Sequence, residues 1–234
     1  MDAIEASNPP VSSLRRTLLL AGIITLSSCS SGGRRTPPEP TEPLSAEDEL
    51  LKHKFRGLRG GQLRVDSLFR VEGLNIFDED DYLFFAHSGL TPPDGRITGS
   101  YGADFGVPKF LRFEWRENFK MEPDGALKRG LPDGAYYGGT LLGNYTVPVA
   151  SRIPDALLED KRRNGGGFRL KIRIHPDGPL IGWDLERGIG TGPDGSKFHH
   201  ASGDFQEAYI YQGQVLRKGW FIHPKTGERI ETVY

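Results

Sequence analysis

Glycine and proline punctuate this chain too densely for long helices: 31 Gly and 17 Pro stand among 234 residues. Proline removes a backbone donor and glycine loses the most entropy on ordering, so the pattern favours short strands joined by tight turns. The tripeptide Pro-Asp-Gly recurs at 93–95, 123–125, 132–134, 176–178 and 193–195. Proline presets φ for the second position of a turn, aspartate suits the third, and glycine accepts a positive φ. The irregular spacing marks loops rather than a solenoid repeat, and one carboxylate per turn is too few for a calcium loop. Charge is nearly balanced, 30 Lys+Arg against 31 Asp+Glu, which excludes a strongly basic nucleic-acid binder. The single cysteine excludes an intramolecular disulfide and a cysteine-rich metal site.

Arg15 and Arg16 precede an almost wholly apolar run, Thr17 to Leu26. A membrane-spanning helix needs about 20 such residues, so this run has the dimensions of a signal-peptide hydrophobic region. The next residues, Leu26-Ser27-Ser28-Cys29, resemble the lipobox of bacterial lipoproteins. The resemblance implies cleavage between Ser28 and Cys29 and diacylation of the Cys29 thiol, with the new amino terminus acylated too. More than one acyl chain gives stable membrane anchoring. Asp2 and Glu5 make the leader unusual and leave its true start open. Arg15-Arg16-Thr17-Leu18-Leu19 also resembles a twin-arginine export core, but Leu14 stands where Ser or Thr is usual, so ordinary export is expected. Pro37, Pro38, Pro40 and Pro43 make residues 30–44 an extended tether. Ser30, rather than the Asp that retains lipoproteins in the inner membrane, implies the outer membrane, facing the periplasm. The expected organisation is a signal peptide over 1–28, a lipidated cysteine and tether over 29–44, and one β-rich periplasmic domain over 45–234.

Ser45-x-x-Asp48 looks like a capping box and predicts a short helix through Leu50 and Leu51. A second, amphipathic helix is expected from Pro154 to Arg163, ended by Asn164 and the following glycines. The remainder reads as a mainly β, sandwich-like fold of antiparallel sheets. Tyr82 to Ala86 is a continuous apolar strand, expected to be buried on both faces. Leu111, Phe113 and Trp115 alternate with Arg112, Glu114 and Arg116. The clearest hairpin joins 168–175 to 180–186 through Pro-Asp-Gly-Pro. A four-residue loop there sets His175 opposite Leu180, Arg169 opposite Glu186, Lys171 opposite Asp184 and Ile172 opposite Trp183. One face is then apolar, carrying Leu170, Ile172, Ile174, Ile181 and Trp183, and the other is a charge-balanced surface. Phe205 to Tyr211 and Val215 to His223 predict another hairpin, and 229–234 a closing strand. Ile174-His175-Pro176 and Ile222-His223-Pro224 each end a strand before a glycine-containing turn.

Catalytic patterns are missing. Lipidation consumes the only thiol, and Gly99-Ser100-Tyr101-Gly102 lacks the spacing of a nucleophile elbow. His199 and His200 point apart on any strand, and Gly188 to Gly192 has no Lys-Ser/Thr after it. Asp78 to Asp81 reads as a solvated turn. No catalytic residue, metal or cofactor is therefore expected. Phe110 to Trp115, Tyr145 to Pro154, Pro176 to Trp183 and Gly219 to Gly227, together with the leader, resemble a family of proteobacterial lipoproteins. Members of that family lie beside type VI secretion phospholipase effectors and are taken to be their periplasmic immunity proteins. The resemblance covers the leader and residues 109–234, and implies a non-catalytic binder of a secreted lipase. A structural or envelope-assembly lipoprotein without a toxin partner is the alternative, and an enzyme acting on envelope glycans or lipids the third. Two long loops are the expected contact sites: Gly89 to Gly106, with Tyr101 and Phe105 as anchors, and Gly188 to Gly203, with Phe198.

Overall fold

In the computed structural model, which describes residues 45–92, 97–104, 106–121, 134–188 and 198–233, the chain builds two principal sheets over a shared core. After helix α1 (Ala46–Phe55) come β1 (Arg59–Ser67), β2 (Val71–Phe77), β3 (Leu83–Leu90), β4 (Ile97–Asp104), β5 (Phe110–Glu117) and β6 (Lys120–Met121). β7 (Tyr136–Tyr137) and β8 (Thr140–Pro148) lead through a 3-10 turn to α2 (Asp155–Asn164), then β9 (Gly167–His175), β10 (Gly178–Glu186) and β11 (Phe198–Gly203). Five short strands finish the chain: β12 (Phe205–Gln206), β13 (Tyr209–Tyr211), β14 (Gln214–Arg217), β15 (Gly219–Ile222) and β16 (Arg229–Thr232). One large sheet has the order β11-β10-β9-β1-β4 and the other β3-β2-β5-β8. The fold is mainly β with two helices, as the sequence predicts. The leader, Ser28, Cys29 and the tether lie outside the described residues.

Both helices are explained by their ends. Ser45 Oγ accepts from Asp48 N–H at 3.1 Å, and acids fill the first turn of α1 while bases fill the last, complementing the helix dipole. Helix α2 buries Leu157 and Leu158 and stops at Gly165, whose φ of +72° few other residues accept. The core between the sheets takes Leu63 and Val65 from β1, Leu74 and Ile76 from β2, and Leu111, Phe113 and Trp115 from β5. From the same sheet as β1 come Leu170, Ile172, Ile174, Ile181 and Trp183, all buried as their alternation predicts.

The hairpin register differs from expectation. His175 faces Gly178, so the loop is Pro176-Asp177 alone, and Arg169 faces Asp184, Leu170 faces Trp183 and Ile172 faces Ile181. A slip of two residues preserves which face each side chain takes, so the inward set survives the correction. The charged face is not a surface. Arg169, Lys171, Arg173 and Asp184 are all buried, because Phe205 and Glu207 lie over this side of the sheet. Carboxylates from the hairpin itself and from elsewhere in the chain make that possible. Arg173 donates to Asp66 through Nε at 2.7 Å and Nη2 at 2.9 Å, and Arg169 grips Asp184 in the same two-pronged way at 3.0 and 2.8 Å. Lys171 Nζ lies 3.2 Å from Asp184 and 2.8 Å from Glu207, which also meets Arg64 at 3.0 Å. The Phe205 ring covers the Arg173 guanidinium at 4.4 Å.

Two other expectations need correction. Tyr82 is exposed and Leu83 to Ala86 are half-buried, because β3 is the edge of its sheet. The pairing with β2 shifts register at Phe84, and Phe84 and Phe85 both pack against the core without being fully buried. The loops expected over 89–106 and 188–203 contain β4 and β11. Glycine, serine and threonine in Ile97–Asp104 hide the alternation that marks a strand, and its pairing with β1 is a tertiary choice.

Candidate binding surface

β13 and β14 pair only with each other among the described residues and form an isolated two-stranded arm. Tyr211 faces Gln214 across Gln212 and Gly213, whose φ values of +48° and +77° are those of a tight hairpin turn with left-handed central residues. Tyr209-Ile210-Tyr211 and Val215-Leu216 are apolar at consecutive positions, so side chains leave both faces of the ribbon. Ile210, Tyr211, Val215 and Leu216 are 40–50 % exposed.

The base of the arm is fixed where its tip is free. Glu207, just before β13, inserts between Arg64 and Lys171. Burial alone would raise its pKa, but Lys171 and Arg64 outweigh that and hold it at about 2. Trp220 Nε1 donates to Gln206 Oε1 at 2.9 Å, and the Arg229 guanidinium lies 4.5 Å from the Trp220 ring. At the returning end, any Cβ on Gly219 would meet Thr232 Oγ1 at 2.6 Å and Ala208 N at 2.7 Å. Only glycine lets the two ends of the arm approach this closely. Phe205 faces Phe221 and packs with it and Leu180 in a small second core.

The contact residues expected from the sequence are not gathered on this arm's strands. Tyr101 lies within β4 opposite Gly61, and Phe198 begins β11 opposite Glu186. Phe105 lies outside the described residues, as do Ser28 and the lipidation residue Cys29. Sequence reasoning found the 205–223 hairpin and missed its exposure. The available signal was the lack of alternation in Tyr209-Ile210-Tyr211, which fits either two covered faces or two bare ones.

The two His-Pro segments meet in space. His175 and His223 approach with ring centroids 5.0 Å apart. Asp177 Oδ2 lies 3.3 Å from His223 Nε2 and 3.9 Å from His175 Nδ1, while its Oδ1 holds the Lys225 ammonium. His175 Nδ1 accepts from Asp177 N–H at 3.0 Å, and His223 Nδ1 accepts from Lys225 and Thr226 N–H at 3.2 and 3.3 Å. Burial, then the neighbouring His223, pushes the His175 imidazole below its ordinary pKa. The Lys225 ammonium holds the Asp177 carboxyl below the usual carboxylate range. No known family, curated protein or solved structure matches the chain.

Proposed function

We propose that the chain is a lipid-anchored, non-catalytic binding protein of the bacterial envelope, with the β13–β14 arm at the centre of its contact surface. The partner it fits in this reading is a secreted phospholipase effector, which it neutralises in the periplasm. The observation that supports the reading is the exposed apolar tip on a fixed base. A lone two-stranded hairpin is marginal in water, and apolar side chains on both of its faces gain free energy when a second surface covers them. A base held in place lowers the ordering cost of association. Tyr211 at the tip is of a residue type enriched among the anchors that dominate binding energy in many interfaces. Intercepting a membrane-damaging enzyme calls for nanomolar binding, about −12 kcal/mol, and an interface on the order of 1,600 Å². The anchor follows from the lipobox-like leader: Cys29→Ser should abolish incorporation of labelled palmitate, and continued labelling would remove the lipoprotein reading.

The partner is tested by deleting the gene and exposing the cells to sister cells with an active type VI apparatus. Survival should fall, and should be restored by the wild-type chain but not by Ile210→Ser/Leu216→Ser. Unchanged survival, with no capture of a neighbouring effector by the full chain, would leave a structural envelope lipoprotein instead.

A further inference from the structure

We propose that His175 and His223 form an acid-sensitive clip, which fastens β15, the strand returning from the arm, to the β9–β10 turn at neutral pH and releases it in mild acid. The hydrogen bonds of each ring set its protonation state. Asp177 N–H donates to His175 Nδ1 at 3.0 Å, and the N–H groups of Lys225 and Thr226 donate to His223 Nδ1 at 3.2 and 3.3 Å. A ring nitrogen that accepts carries no proton, so both imidazoles are neutral with the proton on Nε2. His223 Nε2 thereby meets Asp177 Oδ2 as a donor, 3.3 Å away, and one carboxylate ties the two turns together. The other oxygen of Asp177 holds the Lys225 ammonium. Proline after each histidine keeps that histidine extended at its strand end, which accounts for the repeated Ile-His-Pro.

A second proton on either ring has only Nδ1 to go to. Backbone N–H groups already point at that atom, so each protonation breaks the hydrogen bonds that close the turn. The surroundings of His175 oppose the proton as well. Asp177 faces it on its own turn, and His223 and Lys225 face it from the β15–β16 turn. From β8 comes the Tyr145 hydroxyl, which donates to Pro176 O at 3.4 Å, and from β15 the Phe221 ring, 5.5 Å away. Asp177 is the only carboxylate in that set, and Lys225 already neutralises it. A charged His175, its side chain 12 % exposed, would stand among cations and an aromatic ring. Burial, then His223, accordingly holds the ring below its ordinary 6.5, against the pull of Asp177. Once the clip opens, the ring regains that value and takes the proton. The closed form therefore binds fewer protons than the open one, so it is fully favoured above about 6.5 and loses ground as pH falls below it. What opens is the footing of the arm, because Phe221 packs with Phe205 and Leu180, and Ile222 N–H donates to Asp204 O at 2.7 Å.

The test is backbone amide exchange in the full chain carrying Cys29→Ser, read by NMR at about pH 7.5 and about pH 5.5 and corrected for the intrinsic pH dependence of exchange. Protection at Asp177, Lys225, Thr226 and Ile222 should fall several-fold, by up to about tenfold, the ratio that an imidazole of ordinary pKa supplies about one pH unit below it. Amides of β5, on the other sheet, should keep theirs. Glu207 titrates near 2 and stays charged across this window. The double variant His175→Asn/His223→Asn places an amide oxygen where each Nδ1 accepts, without a titrating group, and should remove the pH dependence. Nitrogen NMR shifts of the unsubstituted rings at neutral pH need no variant, and both should show Nε2 protonated. A proton on Nδ1 of either ring, protection that does not change with pH, or a pH dependence that survives both substitutions would overturn the clip. None of these results depends on what the arm binds.

Discussion

The two faces of the β9–β10 hairpin are equally buried and built on opposite principles. One carries Leu170, Ile172, Ile174, Ile181 and Trp183 into a shared apolar core. The other carries Arg169, Lys171, Arg173 and Asp184 under Phe205 and Glu207, with every cation set against a carboxylate. The apolar face gains free energy from leaving water, whatever its neighbours are, provided that they fill space. Charged groups lose hydration on burial and recover it only through particular partners at particular distances. The first face therefore tolerates replacement by similar volumes. The second depends on residues spread from Asp66 to Glu207.

That contrast breaks most sharply at Asp184. Asp184→Ala removes the carboxylate that Arg169 grips and one of the two that Lys171 meets, and urea denaturation should show a loss of about 3–5 kcal/mol. Ile172→Ala, on the apolar side, should cost about 2–5 kcal/mol through lost transfer energy and a cavity. If Asp184→Ala proved milder than Ile172→Ala, water would have to reach the charged layer and the comparison would fail.

Acid sharpens the same contrast. Glu207 titrates near 2 in the folded chain against an ordinary 4.5. A carboxyl depressed by folding contributes stability above its unfolded value, here about 3 kcal/mol. That contribution is lost progressively as pH falls from about 4.5 through 2. Stability curves at successive pH values should show it, and Glu207→Gln should flatten them over that window while lowering stability at neutral pH. The smallest effect belongs to the arm, where Leu216→Ser touches a side chain already in solvent. Its stability should stay within about 0.5 kcal/mol of wild type, and only partner capture should change.

Much of the architecture was legible because it rests on local signals. Ser45 and Asp48 announce α1, Gly165 ends α2, and alternation in 111–115 and 168–174 marks the strands that line the core. The hairpin loop was misread because Gly178 and Pro179 look like turn residues yet lie within β10. The burial of the charged face was invisible from the hairpin, since Asp66 and Glu207 arrive from distant parts of the chain. The same limit hid the meeting of His175 with His223. Each Ile-His-Pro segment is readable alone, but only the packing of β15 beside the hairpin end brings the two together.

Strand β1 lies between β9 and β4, and its pairing with β9 is parallel, Gly61 to Ser67 against Phe168 to Ile174. Its partners on that side lie 107 residues further along. A nascent chain therefore carries Val65 and Leu63 unsheltered on that flank until β9 has been made, whereas β9 and β10 can close at once across two residues. Closing so long a loop before its contacts form slows folding. The hairpin is thus the natural nucleus, and β1 a late arrival whose docking completes the sheet. Substitutions in β1 should accordingly speed unfolding more than they slow folding, while those in the β9–β10 turn should slow folding itself.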